Sequence, residues 1–230
     1  MPVVPSEPTL PPRVLETTVP WARLSPERFP WGTLLVTSSS GDRDFPAIAD
    51  WSKRAMPAGW LTIAVVRVQP NLEPALVEQL SESFDAWVVL PEPPKGPDRI
   101  EAIKATRLLA RDLANLFSGD DLLFGKESDL NHEFRGAGRF RAGVGISDDP
   151  RVAAEQALRS ASLELDRCLN PERVVLITIG YAHISITDVI QINRVIDHHF
   201  GSFPLACVVH SEARKGRFFR VLLFVAGSFS

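Results

Sequence analysis

The string Thr37-Ser38-Ser39-Ser40-Gly41 places three hydroxyls on a polar turn at the end of an apolar run. A nucleophilic serine needs the sharp G-x-S-x-G turn and a histidine–carboxylate pair to take its proton. Neither the glycine spacing nor a triad partner is signalled, so the string reads as a solvated loop at a strand end. Asp197-His198-His199 offers imidazole and carboxylate groups that zinc accepts. Neighbours at i and i+1 on a helix point apart, however, and no second ligand pair lies at a recognised spacing; no metal site is expected. Cys168 and Cys207 are too few for a disulfide framework. They fall in a helical and a strand pattern respectively and read as small buried hydrophobes. Arg135, Arg139, Arg141 and nearby Arg151 form a local basic cluster, suited to an acidic partner and equally to exposed strand and loop positions.

The chain around these residues has 230 residues, with 25 lysines and arginines against 28 acidic residues and a net charge of -3. A phosphate-tracking surface usually shows a basic excess, so no nucleic-acid partner is expected. The first five residues lack the positive and long apolar regions of a signal peptide, and with two cysteines the expectation is a reducing cytoplasm. The longest apolar stretches, residues 174–179 and 221–226, fall far short of the roughly 18 residues of a membrane span. Eight of the 19 prolines lie in the first 30 residues, where fixed φ and missing amide donors predict an extended arm without regular pairing.

After the arm, residues 33–37 read as a buried strand. A helix starts near Pro46, a favoured first helical position, and stops at Pro57-Ala58-Gly59. The apolar, β-branched run 60–66, a helix over 73–84 and a strand over 86–90 continue a doubly wound, parallel pattern. Residues 98–117 carry apolar positions at helical spacing, the longest element of this half, and a polar loop follows over 118–131. Beyond it the spacing predicts a strand over 139–146, a helix from Pro150 to about 169, a strand over 174–179, and a helix capped by Thr187 and running to about 200. Two final strands, 205–210 and 218–225, flank a turn at 214–216. This second half reads as a compact α+β unit.

Several strings in this order resemble FtsZ, the bacterial tubulin homologue, and its superfamily. Residues 46–53 followed by 61–66 are similar to the family's segment after its glycine-rich phosphate loop. Gly143-Val144-Gly145-Ile146 followed by 152–157 resembles the entry to its C-terminal domain, and 175–180, 184–188 and 220–227 resemble later strings. The match spans about residues 33 to 229. It implies an arm over 1–32, a partial GTPase-domain half with a truncated doubly wound sheet over 33–118 ending in the central helix, a loop over 119–138, and a C-terminal-like α+β domain over 139–230.

The departures bear on function. The family's second glycine-rich turn, "GGGTGTG", brings backbone amides up to the nucleotide phosphates, since glycine has no Cβ and successive amides form an anion nest. The aligned residues here are 37–43, in which only Gly41 remains, while Asp42 and Asp44 would repel a triphosphate. The family's first glycine-rich loop has no counterpart upstream, and its base-binding asparagine has none near Ala105-Thr106-Arg107. In the family an acidic loop after the central helix enters the next subunit's nucleotide site. Asp129 aligns with its second aspartate, whereas Lys126 replaces the first.

The resemblance therefore implies a pseudo-GTPase of the cell-division cytoskeleton: a non-enzymatic, cofactor-free interaction protein that assembles with itself, another protein or an FtsZ-type filament. The loss of early strands predicts that residues Leu34, Leu35 and Val36 form an open edge, covered by the arm or by a partner, with Asp129 on a second interface. The alternative implied is a divergent, polymerising GTPase, holding GTP at Ser38, Ser39, Ser40 and Gly41 with Asp129 acting in trans. The family's tail peptide, which recruits membrane anchors, has no room after residue 230, so no direct membrane anchor is expected.

Overall fold

The computed structural model describes residues 14–16, 33–39, 45–68, 73–91, 98–118, 122–124, 127–165, 168–181, 184–201, 205–212 and 218–229. In chain order they form β1 (Val14–Glu16), β2 (Thr33–Ser39), α1 (Phe45–Ala55), β3 (Leu61–Val68), α2 (Pro74–Ser83), β4 (Ala86–Pro91) and α3 (Asp98–Ser118). There follow β5 (Leu122–Phe124), α4 (Glu127–Phe134), β6 (Gly138–Ser147), α5 (Pro150–Leu165), β7 (Cys168–Tyr181), α6 (Ile186–Phe200), β8 (Leu205–Glu212) and β9 (Phe219–Phe229). All nine of these strands belong to one sheet, in the order β1-β2-β3-β4-β6-β9-β7-β8-β5. Only β9 and β5 run against the others.

The side chains of each central strand alternate between two faces, because successive Cβ atoms point to opposite sides of a sheet. From β3, Ile63 and Val65 enter one core with Val88 of β4, Phe140 of β6, Phe224 of β9 and Ile177 of β7; α3 and α4 cover that face with Leu109, Leu113, Phe117, Leu130 and Phe134. On the other face, Ala64, Val66 and Trp87 meet α1 and α2, while Leu176, Val221, Leu223 and Val225 meet α5 and α6. One face thus carries a core common to both halves of the chain, and the other carries two separate cores. Residues buried on both faces explain why β3, β7 and β9 read as continuous apolar runs.

Helix ends follow local chemistry. Asp149 accepts from the amides of Arg151 and Val152 at 2.8 and 3.1 Å and starts α5, as its sequence predicts. At α6 the cap is Ser185, not Thr187: the Ser185 hydroxyl accepts from the Asp188 amide while the Asp188 carboxylate accepts from the Ser185 amide, a capping box.

Four expectations are corrected. The arm does contribute a pairing strand: Val14, Leu15 and Glu16 lie beside Thr33, Leu34 and Leu35, so the edge of β2 is covered over those residues by β1. The rest of residues 1–32 lies outside the described residues. Within the segment read as the loop 118–131, Leu122 and Phe124 pair with His210 and Val209 of β8. There too α4 begins, and Leu130 and Phe134 bury against the common core. Cys168 begins β7 instead of ending a helix, because β7 pairs with β9 from Phe229 onward. The last two strands are not neighbours, since β7 lies between β8 and β9; the turn 214–216 lies outside the described residues.

Candidate functional site

The residues singled out by sequence fall at two ends of the parallel strands. Ser38 and Ser39 close β2, beside Val66 and Arg67 of β3; Ser40 and Gly41, together with Asp42 and Asp44, lie outside the described residues. Asp129 is not in a loop but in the first turn of α4. That helix contacts β8 and β3, and its far end meets the start of β3, where Arg135 Nη2 donates to the Gly59 carbonyl at 3.1 Å. From Leu61 to Arg67, β3 spans about 20 Å at the usual strand rise. The structure therefore does not bring Asp129 to the Ser38–Ser39 end of the same chain.

The position of α4 is fixed by a cation at its C-terminus. Arg173 Nη1 of β7 donates to the carbonyls of His132, Glu133 and Arg135 at 3.1, 2.7 and 3.0 Å. The first two are last-turn carbonyls of α4, which a helix leaves unpaired at the end where its dipole favours positive charge, and the third follows directly after the helix. A second clamp joins the two halves of the sheet. The Asp85 carboxylate accepts from the Thr62 amide and hydroxyl at 3.0 and 3.1 Å, and the Asp85 carbonyl accepts from the Gly138 amide at 2.8 Å. This brings β6 alongside β4, where Ala86, Trp87 and Val88 pair with Gly138, Arg139 and Phe140.

The basic cluster is corrected in part, and the β2 edge carries the arm's strand β1, one of the two covers expected. Leu35 and Val36 are 1% and 0% exposed. They point to opposite cores, so neither side chain is available to a partner; Leu34 is paired through its backbone with Leu15 and Thr62. Arg139 stacks on Trp87, its guanidinium carbon 5.7 Å from the ring centre, and burial pulls it below the usual arginine range. Arg141 is buried on the same strand. Arg135 and Arg151 alone of the four are exposed, so the cluster is not a common surface. His198 and His199 are exposed near the end of α6, and no group of metal-ligating side chains occurs among the described residues. Cys207 is half-buried, its thiol 3.7 Å from Asn193 Oδ1.

Sequence reasoning missed the buried pair Asp112–Arg220. Arg220 Nε and Nη2 each lie 2.6 Å from an Asp112 carboxylate oxygen, a two-pronged contact from β9 to α3, with the side chains 3% and 0% exposed. No helix among the described residues is long and apolar enough to cross a membrane.

No family model and no curated protein sequence matches this chain. Solved structures do. The empty FtsZ dimer from M. jannaschii is similar at 19% identity and a TM-score of 0.66, over 85% of this chain and 63% of that one. An M. jannaschii FtsZ mutant is similar at 18% identity and 0.68, over 86% and 68%. The GTPγS-bound protofilament of CetZ2 from Haloferax volcanii is similar at 14% identity and 0.61, over 85% and 65%. The chain has an FtsZ/tubulin-like fold, and it spans less than two thirds of the length of the FtsZ dimer's chain.

Proposed function

We propose that this chain is a non-catalytic assembly protein on an FtsZ/tubulin-like fold, joining copies of itself or a filament-forming partner without hydrolysing nucleotide. The observation that carries this reading is the connection from β2 to α1. A phosphate-binding turn in this position needs amides that approach the ligand closely and a positive local field. Residues 40–44 supply one glycine, two aspartates and one arginine. Assembly is supported by the neighbours, which were solved as a dimer and as protofilaments. A head-to-tail contact joins two different faces, and the two ends of the parallel strands supply a pair of such faces.

The alternative, a GTPase completed between copies, is favoured by one observation: Asp129 and the Ser38–Ser39 end are apart within the chain, as an in-trans arrangement requires. One titration separates the two. A fluorescent GTP analogue raised to millimolar concentration is expected not to bind, while sedimentation velocity without nucleotide is expected to show concentration-dependent association. Saturable micromolar binding of the analogue overturns the non-catalytic reading. A strict monomer at every concentration, alone and mixed with an FtsZ filament protein, overturns the assembly reading.

A further inference from the structure

The helices α5 and α6 follow β6 and β7, which both run against β9 and hence parallel to each other. The helices therefore start at the same end of the sheet. A groove of about 890 Å³ lies between them, within the roughly 300–1,000 Å³ of ligand-binding clefts. On α5 it is lined by Arg151, Glu155 and Leu158, at i, i+4 and i+7; on α6 by Arg194, Val195 and His198, at i, i+1 and i+4. The floor is apolar, from Leu158 and Val195. Its two arginines are spaced along its length, with Arg151 at the starting end and Arg194 further along.

Two features of this lining are not explained by the stability of the helices. Arg151 stands in the first turn of α5, which holds no acidic residue, and a cation there opposes the helix dipole. Glu155, the acid among these residues, already lies 3.5 Å from the Arg159 guanidinium. The side chains of Arg151 and Arg194 have no ion-pair partner among the described residues. From Arg151 to Leu158 the groove extends about 10 Å along α5, the reach of three or four residues of extended chain.

From this charge complementarity we infer that the α5–α6 groove is a docking site for a short acidic segment of a partner protein, one that sets carboxylates against Arg151 and Arg194 and an apolar side chain between Leu158 and Val195. The inference goes beyond the assembly reading and does not depend on whether nucleotide binds. An open cleft with arginines on its rim suits a segment making several contacts better than a single small ion, because exposed ion pairs are individually weak.

The test uses the full chain and a fluorescein-labelled octapeptide of alternating glutamate and leucine, followed by fluorescence anisotropy. Saturable binding in the micromolar range is expected, with a loss of about tenfold or more in the double variant R151E/R194E. Leu158→Glu is expected to weaken binding as well. Arg107→Glu, an exposed arginine on α3, is expected to leave it unchanged. If the double charge reversal does not fold, R151Q/R194Q serves in its place. No saturable binding up to millimolar peptide, or full binding by the double variant, overturns the proposal. So does equal binding of an alternating lysine–leucine peptide, which makes the groove merely greasy, or of inorganic polyphosphate, which makes it a general polyanion surface.

Discussion

Asp112 and Arg220 stand 108 residues apart in the chain and meet in the core. Neither residue is marked by spacing, since each is a single charge in an otherwise ordinary helix or strand pattern; only the packing of α3 on β9 joins them. That also makes the pair sensitive to the loss of one partner, because the charge left behind stays buried. Asp112→Ala is expected to lower unfolding free energy by about 3–5 kcal/mol in urea denaturation. The apolar double variant D112L/R220M is expected to recover most of that loss, and a cost below about 1 kcal/mol for the single variant would show that the pair is relieved by solvent. At Cys207, burial pushes the thiol above its ordinary range, with the Asn193 side chain opposing and the Asp197 carboxylate adding to the rise. The folded thiol thus holds its proton at pH values where the unfolded one, near about 8.5, has released it. By linkage, this group's contribution is fully present below the unfolded value and is lost as pH rises through it toward the folded value. Urea midpoints measured from pH 7.5 to 10 should fall more steeply for the native chain than for Cys207→Ala, and identical slopes would contradict the assignment.

The alternation of β-branched runs with amphipathic stretches made most elements legible, because central strands such as β3, β7 and β9 are buried on both faces while α1, α5 and α6 bury one. What sequence did not show depends on distant partners. The three residues of β1 have no period of their own and are ordered by β2. Likewise β5 is defined by β8, and the first residues of β7 by the end of β9. The candidate site was legible as residue types but not as geometry, since only topology sets Ser38–Ser39 and α4 at opposite ends of the strands. One string that carried the family resemblance, Gly143-Val144-Gly145, has a packing cause. A Cβ on Gly145 would lie 1.8 Å from the Ala153 carbonyl, and one on Gly143 2.1 Å from that of Ala157. The glycines let α5 lie directly on β6, and Ser160 and Gln156 then reach its backbone. Beyond Phe140, where β4 no longer pairs with β6, the Val144 amide donates to Ser160 Oγ at 2.7 Å and the Ile146 amide to Gln156 Oε1 at 2.9 Å. These two side chains close a strand edge that would otherwise invite pairing. Gly145→Ala is expected to cost about 3 kcal/mol or more, since backbone atoms must move. The double variant S160A/Q156A is expected to raise self-association in light scattering at unchanged secondary structure, and an unaltered particle mass would argue against edge protection.

At the scale of the whole molecule, the β4–β6 ladder and the common core govern how the two halves respond to stress. A chain made of two independent units would have two cores and a boundary crossed by few contacts. Here one apolar cluster takes residues from β2, β3, β4, α3, α4, β6, β7 and β9. The Asp85–Gly138 hydrogen bond and the Arg139–Trp87 stack cross the junction, and Asp112–Arg220 ties the central helix to the far half. Such shared burial is expected to make unfolding a single cooperative event, despite a length at which domains often separate. The distribution of probes allows a clean measurement. All five tryptophans lie in the first 87 residues, and Trp51, Trp60 and Trp87 are buried in the core under α1 and α2; their fluorescence reports chiefly the first half, with Trp87 also in contact with Arg139 of β6. Cys207, on β8, reports the second half through the rate at which a thiol reagent reaches it. Urea transitions followed by tryptophan fluorescence, far-ultraviolet circular dichroism and Cys207 labelling in a Cys168→Ala background are expected to coincide. Asp112→Ala is expected to shift all three midpoints together, because the pair it breaks belongs to both halves. Fluorescence and labelling midpoints that separate, with only the labelling midpoint moved by Asp112→Ala, would show that the continuous sheet does not couple the halves energetically.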